Sequence, residues 1–112
     1  MKKTTLDKFA EISELVKSND IYDIHDLKLN HLTVSTTRLH SGKETRGHTH
    51  PGDQEEIYIC LEGSGKIIIG EVESSFEKGD LLAIESGEFH KVINDSETDL
   101  VFLCVFEKYE RK

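Results

Sequence analysis

The stretch Gly42-Lys43-Glu44-Thr45-Arg46-Gly47-His48-Thr49-His50-Pro51-Gly52-Asp53-Gln54-Glu55-Glu56 opens a spaced pattern that closes at Gly63. A second pattern runs from Gly79 through Gly87 and His90 to Asn94. His48 and His50 stand two apart, and on an extended chain such residues point to the same side, so both rings can face one point. Neutral imidazole suits zinc, copper, iron and nickel, and a carboxylate widens the choice toward manganese. Glu55 and Glu56 follow across the Pro51-Gly52-Asp53 turn signal, at the head of the strand-like run Ile57-Tyr58-Ile59-Cys60-Leu61. His90 comes from a separate Gly-anchored segment. These patterns point to one metal ion held by three imidazoles and one carboxylate. No partner spacing supports His25, His31 or His40, which are expected on the surface or as satisfied core groups.

The two patterns resemble those of the cupin superfamily, small β-barrels with two motifs. The first runs Gly, five residues, His-x-His, three or four residues, Glu, six residues, Gly. The second runs Gly, five residues, Pro-x-Gly, two residues, His, three residues, Asn. The first fits from Gly42 through His48 and His50, but five residues then separate His50 from Glu56, whereas Glu56 keeps six residues to Gly63. Counting from His50 selects Glu55; counting back along the strand selects Glu56, and a distance along a strand is less elastic than one across a Pro-Gly turn. The second motif keeps every spacing, with Glu85 in place of proline, a change that removes a rigid turn former without touching a ligand. The resemblance implies that His48, His50, Glu56 and His90 coordinate one divalent transition metal per chain (Mn, Fe, Ni, Co or Zn) inside the barrel. If Glu56 faces inward, Tyr58 and Cys60 do too.

The expected fold is all-β, a single cupin (double-stranded β-helix, jelly-roll) barrel with one short N-terminal helix. Short strands punctuated by glycine support it. Leu32 to Leu39 alternates and is β-branched, Ile67 to Val72 reads as a hairpin turning at Gly70, and Leu81 to Ile84 and Leu100 to Phe106 are apolar runs. Leu6, Phe9, Ile12 or Ser13, and Val16 recur at helical spacing between Thr4 and the Ser18-Asn19-Asp20 stop. The chain divides into a helix and lead-in strand over 1–30, a barrel over 31–108 and a solvated tail over 109–112.

With 112 residues and 36% hydrophobic content, the chain supports one modest core. A formal charge of −8 with no Lys/Arg cluster argues against nucleic acid or an anionic membrane as partner. No apolar signal core or membrane-length run is present, so a cytoplasmic protein is the default, and edge strands together with family habit suggest a homodimer. Cys60 and Cys104 sit in apolar runs and read as buried small hydrophobes, with Cys60 a catalytic thiol only if it faces the metal.

The cupin fold hosts isomerases, epimerases, decarboxylases, dioxygenases, lyases, storage proteins and sensors. The stretch Gly47-His48-Thr49-His50, then Glu56-Ile57-Tyr58 and Leu61-Glu62-Gly63-Ser64-Gly65, is similar to the first motif of cupin-type phosphoglucose isomerases. It implies a metal-dependent enzyme on a small polar or anionic metabolite, of sugar or sugar-phosphate isomerase or epimerase type. Glu55 or Tyr58 would move the proton, and Arg38 and His40 would meet an anionic substrate. The alternatives are an iron-dependent dioxygenase and a non-catalytic, metal-assisted binding or sensor module.

Overall fold

The computed structural model describes residues 1–49 and 54–107. The Pro51-Gly52-Asp53 turn and the charged tail lie outside the described residues. Among the described residues nine strands form two sheets: β1 (Glu14–Ser18), β2 (Tyr22–Lys28), β3 (Leu32–Leu39), β4 (Glu56–Glu62), β5 (Ser64–Ile69), β6 (Val72–Glu77), β7 (Leu81–Ile84), β8 (His90–Ile93) and β9 (Leu100–Glu107). Six strands are ordered β1-β2-β3-β9-β4-β7 and three are ordered β6-β5-β8. The expected barrel is thus built as two jelly-roll sheets rather than one closed cylinder. Every ladder is antiparallel.

Alternation decides which side chains enter. On β9, Leu100, Phe102, Cys104 and Phe106 are buried, and on β4 Glu56, Tyr58 and Cys60 are buried. β3 buries Thr33, Ser35, Thr37 and Leu39 while Val34 stays half-buried outside. The cross-strand register then grades the interior from one end to the other. Leu39 pairs with Leu100 and Cys60 with Phe102, an apolar end joined by Ile67, Phe76 and Val92. Ser35 and Tyr58 both pair with Cys104, and Thr33 and Glu56 with Phe106, an end that is polar although it is buried. Buried hydroxyls and a carboxylate make this end of the interior polar, in contrast to the apolar end around Leu39 and Leu100.

The N-terminal stripe departs from its helical expectation. A 3-10 helix covers Leu6–Glu11, Phe9 is its buried residue, and the chain is extended from Glu14. Val16 therefore lies on β1, not on a helix. The Ser13 hydroxyl donates to the Phe9 carbonyl at 2.7 Å, ending the turn, and Glu14–Ser18 pairs with β2. Pairing Glu14, Leu15, Lys17 and Ser18 with β2, across a register shift at Val16, outweighs the weak propensity of a short, uncapped helix. The Ser18-Asn19-Asp20 signal is the β1–β2 hairpin turn, where Asn19 Oδ1 accepts from the backbone N–H of Ile21 and Tyr22. Gly70, at φ 61°, turns β5 into β6 as expected.

Asn94, which ends the second pattern, is a structural clamp. Its Nδ2 donates to the carbonyls of Leu39 and Thr98, each at 2.9 Å, and its Oδ1 accepts from Ser96 N–H and Ser96 Oγ. It is buried and ties the β8–β9 loop to the end of β3. Asn94→Ala should lower stability by about 2 kcal/mol, because buried polar groups lose partners that water cannot replace. Urea unfolding would register this as a lower midpoint with an unchanged slope.

Candidate metal centre

At the polar end a buried carboxylate and a buried imidazole from opposite sheets, those of Glu56 and His90, meet the exposed imidazole of His48. Glu56 starts β4 in the larger sheet, and His90 starts β8 in the smaller one. His48 joins the smaller sheet through an antiparallel bridge to His90, the two residues exchanging backbone N–H to carbonyl bonds of 3.0 Å. Ligand atoms of His48, Glu56 and His90 all lie within 4.8 Å of one another. His50, the fourth expected ligand, lies outside the described residues.

The turn before β8 aims His90. Glu85, standing where the family pattern has proline, uses the backbone N–H that proline lacks: it donates to Glu88 Oε1 at 2.8 Å, while Glu88 N–H returns a bond to the Glu85 carbonyl at 3.2 Å. Two hydrogen bonds thus replace the stiffness of the missing ring. The Glu88 carbonyl in turn lies 3.2 Å from His90 Nδ1. A carbonyl can only accept, so this contact puts the proton on Nδ1 and turns the Nε2 lone pair toward Glu56.

Burial pushes the His90 imidazole pKa below its ordinary value, against an opposing pull from the Glu88 carbonyl and carboxylate. The ring is therefore neutral at neutral pH, the form that binds metals. His90 Nε2 and Glu56 Oε2 stand 3.8 Å apart. That is too long for a hydrogen bond and shorter than twice a ligand bond of about 2.1 Å, so an ion fits between them. Two imidazoles and a carboxylate on one spot form a donor set suited to a divalent transition metal.

His48 and Glu56 also line a cavity of about 100 Å³ between the sheets. Its wall carries the hydroxyls of Ser35, Thr37, Thr45 and Tyr58, together with Arg46. Tyr58 is buried, 5.6 Å from the His90 ring centroid and stacked on Phe102 at 5.3 Å. Glu55 is exposed and does not line the cavity. Arg38 points outward to Asp99 at 3.4 Å, and His40 sits 3.7 Å from both Asp23 and Asp99, so this pair belongs to a surface charge cluster. Cys60 faces inward as expected but at the apolar end, its Sγ 3.7 Å from the carbonyls of Glu62 and Gly63. Burial and then the Asp80 charge push its thiol pKa up, which leaves it inert. The cysteine on the cavity wall is Cys104.

Sequence reasoning missed Ser35, Thr37, Thr45 and Arg46. For Ser35 and Thr37 a signal was present in the alternation of polar and β-branched residues along β3. Arg46 stands two residues before His48, but the chain between them is not a regular strand. The bridges Glu44 to Ile93 and His48 to His90 enclose three residues on one side and two on the other. This is a β-bulge, with Gly47 at φ 80°. Within it, Val92 N–H donates to Thr45 Oγ at 3.0 Å.

A Cβ on Gly47 would fall 2.5 Å from Phe89 Cζ. Gly47→Ala should therefore cost about 1–3 kcal/mol in backbone strain and displace His48. A lower melting temperature together with weaker metal uptake, read on the same preparation, would check both halves of that expectation.

No curated protein matches the chain in sequence. Among solved structures, TT1209 from Thermus thermophilus has a TM-score of 0.80 at 22% identity, covering 96% of this chain and 97% of that one. A conserved double-stranded β-helix protein from Klebsiella pneumoniae scores 0.79 at 19% identity, covering 96% and 90%. A predicted oxalate decarboxylase from Thermotoga maritima scores 0.73 at 23% identity, covering 87% and 92%. At these identities the likeness is one of fold. Among the described residues no helix is long and apolar enough to cross a membrane. The cupin domain family model matches residues 35–106, well over half of the chain and a span that runs from β3 through β9 and includes the His48, Glu56 and His90 group, and the chain belongs to the cupin family.

Proposed function

We propose that this protein is a metal-dependent enzyme that moves a proton on a small polar or anionic metabolite, an isomerase- or epimerase-type reaction. The observation that supports it is a single cavity in which His48 and Glu56 share a wall with the buried Tyr58 and three aliphatic hydroxyls. His48, Glu56 and His90, with His50 as the expected fourth ligand, would hold one divalent metal, which when bound supplies a Lewis acid that polarises a substrate carbonyl. Tyr58 then hands over or receives the proton at its hydroxyl, held in place by its stack on Phe102. Ser35 and Thr37 orient substrate oxygens, and the apolar rings of Phe102 and Phe106 limit water.

Arg46 and His48 are exposed, so the cavity is open on that side, and a sugar phosphate would present only its reacting end to it. One observation favours a second reading: two histidines and one carboxylate on one spot are also the donor set of ferrous oxygenases.

Deuterium exchange separates the readings. Manganese-loaded protein incubated in D₂O with short hydroxy acids, keto acids and aldoses should exchange a carbon-bound hydrogen of at least one of them, followed by NMR. Exchange should vanish in Glu56→Gln, slow by roughly 100-fold or more in Tyr58→Phe and persist in Glu55→Gln. Oxygen uptake by the iron form without exchange would replace the isomerase reading with the dioxygenase. Binding with neither would leave a metal-assisted binding module.

A further inference from the structure

We infer that Arg46 is the anchor for a carboxylate, and that the metabolite is a small carboxylic acid bound between Arg46 and the His48, Glu56 and His90 group. This rests on the metal-centre reading above and gives it a substrate class.

The backbone supplies the first argument. In a regular strand, neighbours point to opposite faces, so Thr45 and Arg46 should not share a surface. Here Thr45, Arg46 and His48 all line one cavity. The stretch from Glu44 to His48 carries one residue more than the stretch from His90 to Ile93 that it bridges, so it is not a regular strand, and β-bulges re-aim side chains in this way beside functional sites. Within that stretch Thr45 Oγ accepts from Val92 N–H at 3.0 Å, which leaves the Thr45 O–H hydrogen for another acceptor.

Charge supplies the second. Lys66, Lys91 and Arg38 each face a carboxylate, at 3.5, 2.6 and 3.4 Å. Arg46 enters none of the ion pairs among the described residues, and the cavity wall holds no other lysine or arginine. It is exposed, while Ser35, Thr37, Glu56 and Tyr58 are buried, so it stands at the mouth of a pocket whose floor is polar. A guanidinium presents a planar fork of donors that matches a carboxylate in two parallel hydrogen bonds. The hydroxyls of Thr45 and Thr37 serve a further oxygen on the acid.

The test compares an acid with its amide. Glycolate and glycolamide are titrated by calorimetry into wild type, Arg46→Gln and Arg46→Lys, each stripped with chelator and again loaded with manganese, with metal content measured in parallel. Wild type should prefer the acid, and Arg46→Gln should reduce that preference by roughly 10- to 100-fold at unchanged manganese content. Arg46→Lys should fall between them, since it keeps the charge and loses the fork. An acid-to-amide preference that is the same in Arg46→Gln as in wild type would overturn the assignment, as would wild type that binds no glycolate in either form. A failed metal centre shows itself separately, as no manganese uptake by wild type, while the stripped protein still reads the Arg46 preference.

Discussion

Glu56→Gln is expected to lower metal affinity by more than roughly 100-fold, while Glu55→Gln keeps about one metal per chain, as read by elemental mass spectrometry on protein purified without a tag or chelator. The two carboxylates are neighbours in sequence and opposite in placement. Glu56 is 4% exposed and its oxygen stands 3.8 Å from His90 Nε2, whereas Glu55 is exposed on the other side of the chain. Glutamine keeps the shape of the side chain and removes the charge, so the fold should survive and the loss should report ligation alone. His90→Ala should behave like Glu56→Gln in metal content. Retention of metal in Glu56→Gln with loss in Glu55→Gln would reverse the assignment.

Phe102→Ala is expected to destabilise the protein by about 3–5 kcal/mol, the cost of a large cavity in a close-packed interior. Phe102 is 2% exposed, stacks on Tyr58 at 5.3 Å and meets Phe76 edge-on at 5.9 Å, so it joins the apolar end of the sandwich to the polar end. A domain of this size shifts its melting temperature by roughly 4 °C or more per kcal/mol, which makes the expected fall at least about 12 °C. The cavity opens beneath Tyr58, so any turnover measured below the new transition should also drop. Calorimetry that showed a fall of only a degree or two would mean that the two ends are not packed through this ring.

Much of the fold was legible because its signals are local. Gly70 marks a hairpin, the spacing from Gly79 to Asn94 frames the turn that carries His90, and alternation from Glu56 places Tyr58 and Cys60 on its own face. The stripe from Leu6 to Val16 misled because a few apolar residues at helical spacing weigh less than a free edge of β2 to pair with. Arg38, expected to meet an anionic substrate, instead faces a carboxylate on the surface. Its position on a regular strand was readable, but its partner Asp99 lies 61 residues away in the chain.

The amino-acid sequence by itself determined the family, the two motifs, the inward face of β4 and the residue types of the metal group, since period-two alternation and motif spacing are properties of the chain alone. Only the tertiary structure decided which end of the sandwich is polar, that Cys104 rather than Cys60 meets the cavity, and that Arg46 enters it. Those outcomes depend on cross-strand register and on one bulge. Register is set by how two sheets bury their faces together, and a shift of one residue turns every side chain after it to the other side.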